Sequence, residues 1–231
     1  MSLPPTSRAN SRTQQIRTIK KVSRRLIAEK GVAGLSLREV AREMGFVSSA
    51  LYRYFASRDE LLTALILDGY NDLGASVERV ATRHVGAPSR ERWRAAAYAI
   101  RSWAIRHPHE YALIYGTPVP GYEAPELTIE AASRVTRVLA GILNDDRRSR
   151  PARRRGLPTS SREAVLEVDT LESVMPSLVA GEYVGALMAW TQIFGFVSFE
   201  LFGHYVGSVR DTGALFERVV EELADQLHFP T

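Results

Sequence analysis

SLREVAREMGFVSSALYRYFASRDELL, residues 36–62, reads as two short helices joined by a tight turn and the start of a third. Ser36 with Glu39 three residues later forms a capping box, in which the Ser oxygen accepts from a free amide and the Glu reaches back. Leu37, Val40, Ala41 and Met44 then recur at helical spacing and give one apolar face. Gly45 follows where a helix ends in a left-handed residue. Ser48 or Ser49 can cap the next helix, whose inner side carries Leu51 and Phe55 four residues apart. Arg58-Asp59-Glu60 opens another helix, with acids in the first turn where the dipole favours them. Helix, glycine turn, short helix is the arrangement that lays its second helix in the major groove of DNA.

Toward the N-terminus, Thr13 to Lys30 reads as a helix. Ile16, Ile19, Val22, Leu26 and Ile27 line one side, and Arg17, Lys20, Lys21, Arg24 and Arg25 the other. Residues 1–11, with Pro4 and Pro5 among Ser, Asn and Arg, read as a flexible arm whose Arg8, together with Arg12, can touch phosphate or a minor groove. Twelve Lys or Arg stand against five Asp or Glu over residues 1–60, whereas the whole chain carries only +4. A basic module joined to a mildly acidic one implies a polyanion partner at one end. The absence of cysteine excludes disulfides and thiolate metal sites and suits a reducing cytoplasm. The start MSLPPTSRANSR has no apolar core of a signal peptide.

Taken together, Ala28-Glu29-Lys30-Gly31, Leu35 to Ala41, Ser49 to Phe55 and Arg58 to Leu62 resemble the DNA-binding domain of the tetracycline-repressor (TetR) family of transcriptional regulators. The resemblance covers about the first quarter of the chain. It implies an all-α fold: a three-helix helix-turn-helix domain over residues 12–60, then a helical ligand-binding and dimerisation bundle over 61–231. On the recognition helix Val47, Ser48, Ser49, Ala50 and Arg53 can face base edges, with Arg53 suited to a bidentate contact to guanine. By resemblance Tyr52 and Tyr54 reach phosphates. Arg58 can pin the backbone from the head of its helix, Arg38 can add a phosphate contact, and Ser36 completes the interface.

Beyond Arg58 a long helix runs to about Thr82, and in the resembling family it joins the two domains. Gly69 and Gly74 lower its helix propensity and can soften it. Ser89 can cap a helix reaching His107, with Trp93, Ala96, Ala97, Ile100, Trp103 and Ala104 on its inner face. Pro108 suits the first turn of a short helix to about Tyr115, and a loop follows over residues 116–121. A helix from about Pro125 to Leu143 buries Leu127, Val135, Val138, Leu139 and Ile142. Residues 145–161, DDRRSRPARRRGLPTSS, read as an arginine-rich, disordered linker, with a weak helix over 163–174 after it. Glu182 to Phe202 is apolar almost all round; for its uncharged part, Tyr183 to Phe199, a buried helix is a better reading than a membrane span. Asp211 to His228 forms the last helix.

The resembling family packs its last two helices into a four-helix dimer interface, and Val197, Leu201, Leu215, Val219 and Leu223 are the residues suited to one here. Trp93, Trp103, Tyr111, Tyr115, Tyr122, Trp190 and Phe194 supply the aromatics for a largely apolar pocket. The segments Arg106 to Tyr111 and Ile114 to Gly116 resemble an actinobacterial subgroup. The implied protein is a cytoplasmic homodimer on an inverted repeat of double-stranded DNA, released by a small molecule, with no cofactor, metal or membrane. Two other readings are a helical small-molecule-binding or interaction protein that has lost DNA binding, and an enzyme. Five histidines without an HExxH or Glu-x-x-His set, and no nucleophile elbow, Walker loop or Rossmann fingerprint, give the enzyme no site.

Overall fold

The computed structural model describes residues 7–149, 168–176, 178 and 180–230. The described residues contain ten α-helices and one 3-10 turn, with no strand among them. In order they are α1 Ser7–Lys30, the 3-10 turn Val32–Gly34, α2 Leu37–Glu43, α3 Ser48–Leu51 and α4 Arg58–Arg83. There follow α5 Ser89–Arg106, α6 Pro108–Tyr115, α7 Thr128–Ser149, α8 Val168–Val174, α9 Ala180–Leu201 and α10 Thr212–Gln226. The chain divides into two compact units, residues 1–69 with 109–125, and residues 70–108 with 126–231.

The first unit is the helix-turn-helix together with α6. Ile19, Leu26, Leu35, Leu37, Val40, Leu51, Phe55, Leu61, Leu62 and Leu65 form its core. Lys20 and Arg24, on the basic side of α1, converge on Asp68 of α4, at 2.8 and 2.5 Å. Arg24 also lies 3.8 Å from Glu110 of α6. From α6 and the loop after it, buried Tyr111 enters this unit, and the Tyr122 hydroxyl meets Thr63 at 2.9 Å. A Cβ on Gly69 would lie 3.3 Å from Ile114 of α6.

The second unit is a bundle built on α5, whose Trp93, Ala96, Ala97, Ile100, Trp103 and Ala104 are all buried. Its two indole N–H groups are used internally: Trp93 donates to Val220 O at 3.2 Å and Trp103 to Asp72 at 2.8 Å. Arg101 grips Glu200 of α9 with two bonds of 2.7 and 2.6 Å. Arg90 ties α5 to α10 and the C-terminal segment through Glu221, Asp225 and Pro230 O. Helix α9 has the length and apolarity of a membrane span. Here Tyr183, Ile193, Phe194, Phe196 and Val197 bury one side of it in the bundle, while Met188, Phe199 and Phe202 stand exposed.

Several expectations change. Helix α1 begins at Ser7, so residues 7–11 of the expected arm are helical, while 1–6 lie outside the described residues. Capping is by Pro88 rather than Ser89 at α5, with no side-chain bond. Helix α7 starts three residues late and leaves Leu127 59% exposed. It also runs on to Ser149, so 145–149 of the expected linker are helix, and Asp145 pairs with Arg92 at 2.8 Å. The remainder of that linker, 150–161, and residues 163–167 lie outside the described residues. Gly74 is a contact point rather than a soft spot, because a Cβ there would sit 2.8 Å from the Arg134 Cβ.

Two predictions follow from these contacts. Replacing a helical Gly by Ala normally stabilises by about 1 kcal/mol. Gly74→Ala is expected to do the reverse, because Arg134 must give up its bonds to Glu78 and Asn71. Urea unfolding checks this, and a variant as stable as the parent contradicts the packing. The Glu221 carboxyl is held below the usual range, chiefly by the hydrogen bond from Arg94, against desolvation, with Arg90 adding to it. A depressed pKa contributes stability above the unfolded value of about 4.3 and loses it as pH falls through the folded one. The melting-temperature gap between the parent and Glu221→Gln is therefore expected to be full at neutral pH and to close in acid.

Candidate nucleic-acid interface

The interface is built on one turn and two anchors. The Ser36 Oγ accepts from the Glu39 amide at 3.1 Å and caps α2. The reciprocal half of the expected box is replaced, since the Glu39 carboxylate pairs with Lys30 and Arg42. Helix α2 ends in a Schellman motif: Phe46 N donates to Ala41 O at 2.9 Å and Gly45 N to Arg42 O at 3.1 Å. Gly45 has φ 67°, which an L side chain resists, and nothing lies within 4 Å of where its Cβ would be. Conformation alone therefore asks for glycine there.

The turn sets down α3, only four residues long. Its N-cap is Val47, not Ser48 or Ser49, and it makes no side-chain cap bond. Leu51 and Phe55 hold it from below, both buried. Above them Val47 is 72% and Tyr52 51% exposed, and Ser49 and Arg53 are open to solvent. Ser48, Ala50 and Tyr54 are half-buried. Arg38, on the outer side of α2, is exposed as well. Neither Arg38 nor Arg53 is paired with a carboxylate among the described residues. The Arg12 guanidinium lies over the Tyr54 ring, 5.5 Å from its centroid.

Arg58 is placed differently from the expectation. Its Nε donates to Leu35 O at 2.9 Å and its Nη2 to Val32 O at 3.1 Å, while Nη1 lies 3.5 Å from Asp59. The guanidinium thus fastens the chain just before α2 to the head of α4, which fixes where α2 starts. The sequence reading also missed the device that starts α4. The Ser57 Oγ accepts from the Glu60 amide at 3.1 Å, and Glu60 accepts from the Ala56 amide at 2.5 Å. The S-x-x-E spacing of Ser57 and Glu60 is the signal that could have found it.

The expected pocket aromatics separate. In the second unit Trp93 and Trp190 line a small cavity of about 10 Å³ with Thr136, Leu139, Leu143 and Met175, room for about one water. The Thr136 hydroxyl, 2.8 Å from Ser133 O and 2.9 Å from Val174 O, is already engaged. Phe194 packs behind Trp190 with centroids 5.3 Å apart. Trp103 is core and stacks on His107 at 5.2 Å. Tyr111, Tyr115 and Tyr122 belong to the first unit, where Tyr111 and Tyr115 pack at 5.2 Å. Of the five apolar residues suited to a dimer face, Val197 and Leu223 are 0% and 1% exposed and belong to the core of the second unit. Leu201, Leu215 and Val219 are half-buried.

Comparison with known proteins agrees with this geometry. Residues 19–65 match the family model for bacterial regulatory proteins of the tetR family, and residues 93–223 match the tetracyclin repressor-like C-terminal domain. The chain is 36% identical to the HTH-type transcriptional regulator Rv1816 of Mycobacterium tuberculosis, over 91% of both chains. HTH-type transcriptional regulator Mb1846 of Mycobacterium bovis matches equally. The crystal structure of regulatory protein SCO4313 superimposes with a TM-score of 0.80 at 33% identity, covering 96% of this chain and 100% of that one. These relatives are regulators, not enzymes. With its turn, its exposed recognition face and its helical second unit in place, this chain belongs to the TetR family of DNA-binding transcriptional regulators.

Proposed function

We propose that the protein is a ligand-responsive repressor that binds an inverted-repeat operator as a homodimer and is released by a largely apolar small molecule, in the cytoplasm. The observation that carries the reading is the recognition face itself. Val47, Ser49, Tyr52 and Arg53 project from a turn whose position is fixed by buried Leu51 and Phe55. Arg53 suits guanine and the small side chains suit thymine methyls, while Arg38, Tyr52 and Tyr54 suit phosphates. One such turn binds weakly, so two copies on half-sites roughly 34–36 Å apart are the natural unit.

Support for a second copy comes from α9 and α10. Met188 and Phe199 are exposed on one side of α9 and Phe202 just beyond its end, while Leu201 and, from α10, Leu215 and Val219 are half-buried. The reading places the effector at the small cavity beside Trp93 and Trp190. It is far below the ~300 Å³ of an ordinary ligand pocket, so a ligand must favour an opened form of α7, α8 and α9. Binding that form more tightly than the DNA-bound one is what shifts the population.

The test is fluorescence anisotropy against duplexes selected from a random library by the protein itself. Arg53→Ala is expected to weaken specific binding by about 5- to 150-fold, the equivalent of ~1–3 kcal/mol, and to relax preference at one base pair per half-site. Arg58→Ala is expected instead to lower the melting temperature, because it releases the Val32 and Leu35 carbonyls. Binding that stays weak and vanishes with salt on every duplex would sink the DNA-reading assignment.

A further inference from the structure

Helix α1 is longer than its core requires. Its buried stripe runs through Leu26, Ser23 and Ile19 to Ile16, which is only half-buried. Arg12 falls next in the same register, one turn beyond the last apolar residue. The stripe that faces the core therefore turns cationic where the core ends. No acidic residue precedes Glu29, so nothing on this part of the helix neutralises that charge. Arg12 is exposed, and its guanidinium lies over the Tyr54 ring at the end of the recognition segment.

We infer that the N-terminal turns of α1 form a second, sequence-independent DNA contact, in which Arg12 binds a backbone phosphate next to those met by the recognition segment. The inference rests on the DNA-reading assignment above and extends it. The Tyr54 ring keeps the guanidinium beside the recognition segment without taking up its donors, since a cation over an aromatic face still has its N–H edge free to donate. A helix also decides which part of the duplex is reached. With its side chains it is about 10–12 Å across, and the minor groove is only about 6 Å wide, so an ordered α1 meets phosphates and not base edges. Helicity from Ser7 onward is thus what separates this contact from that of an extended arm.

Phosphate contacts are counted by salt dependence, each lowering the slope of log K against log salt by about 0.9. The experiment compares the parent, Arg12→Ala and Arg12→Lys on a duplex selected by the parent from a random library and on an unrelated duplex of equal length. Ethylation interference is run on the selected duplex. Expected is a slope for Arg12→Ala shallower by about two per dimer on the selected duplex, and an equal fractional loss for every operator variant. Expected too are a parent-like slope for Arg12→Lys, an unchanged melting temperature, and loss of interference at one phosphate per half-site. An unchanged slope and interference pattern in Arg12→Ala, with specific binding by the parent intact, would overturn this contact alone. The same holds for affinity lost with the slope unchanged, the mark of a residue that only props Tyr54. A parent that selects no sequence at all would overturn the DNA-reading assignment and this contact with it.

Discussion

A helix of four residues does not form by itself in water, because nucleation fixes several residues for each hydrogen bond gained. Helix α3 has no side-chain cap to help it. Its geometry is therefore imposed from outside, by Leu51 and Phe55 in the core and by the Gly45 turn before it. The devices around it serve the same end. Ser36 and Arg58 fix where α2 begins, the Schellman motif fixes where it ends, and Ser57 with Glu60 fixes the head of α4. What reaches solvent is a short, rigid platform whose side chains are free because its backbone is not.

The second unit relies on a different interaction. Arginine–carboxylate clamps join helices far apart in sequence: Arg101 with Glu200, Arg134 with Glu78, and Arg90 with Glu221 and Asp225. Half-buried pairs of this kind add little net stability after desolvation, yet breaking one leaves a charge without its partner. Their effect is to choose register. The apolar surfaces of α5, α9 and α10 would tolerate sliding, whereas the paired bonds of Arg101 to Glu200 and the reach of Arg90 to both Glu221 and Asp225 do not. The planar fork of arginine suits it to this role better than lysine.

The local signals were legible where one residue carries one constraint. Ser36, Gly45 and Pro108 each marked a boundary of α2 or α6 that the structure keeps. Periodicity was less decisive where a helix is apolar on several sides. It could not divide α9 and α10 between their own core and an outer face, so Val197 and Leu223 were assigned outward although both are buried. Arg58 illustrates another limit: its partners are backbone carbonyls, which every residue has and no pattern reveals. The polar composition of residues 7–11 hid a helix that continues an apolar stripe only by register. For the aromatics, residue type gave the inventory of a pocket but not the fold that distributes them between two units.

The first unit is discontinuous, because residues 109–125 return to complete it after α5 has been laid down elsewhere. Synthesis proceeds in sequence order at ~5–20 residues per second. The nascent helix-turn-helix thus spends several seconds without buried Tyr111, without the Thr63–Tyr122 bond and with Gly69 uncovered. The same break constrains recombination. A crossover just after Gly69 that brings in a foreign sensor domain discards part of the reader's own packing, so α6 and the loop after it must travel with the helices that touch DNA. Parts of this chain that look separable on a linear map are inherited together.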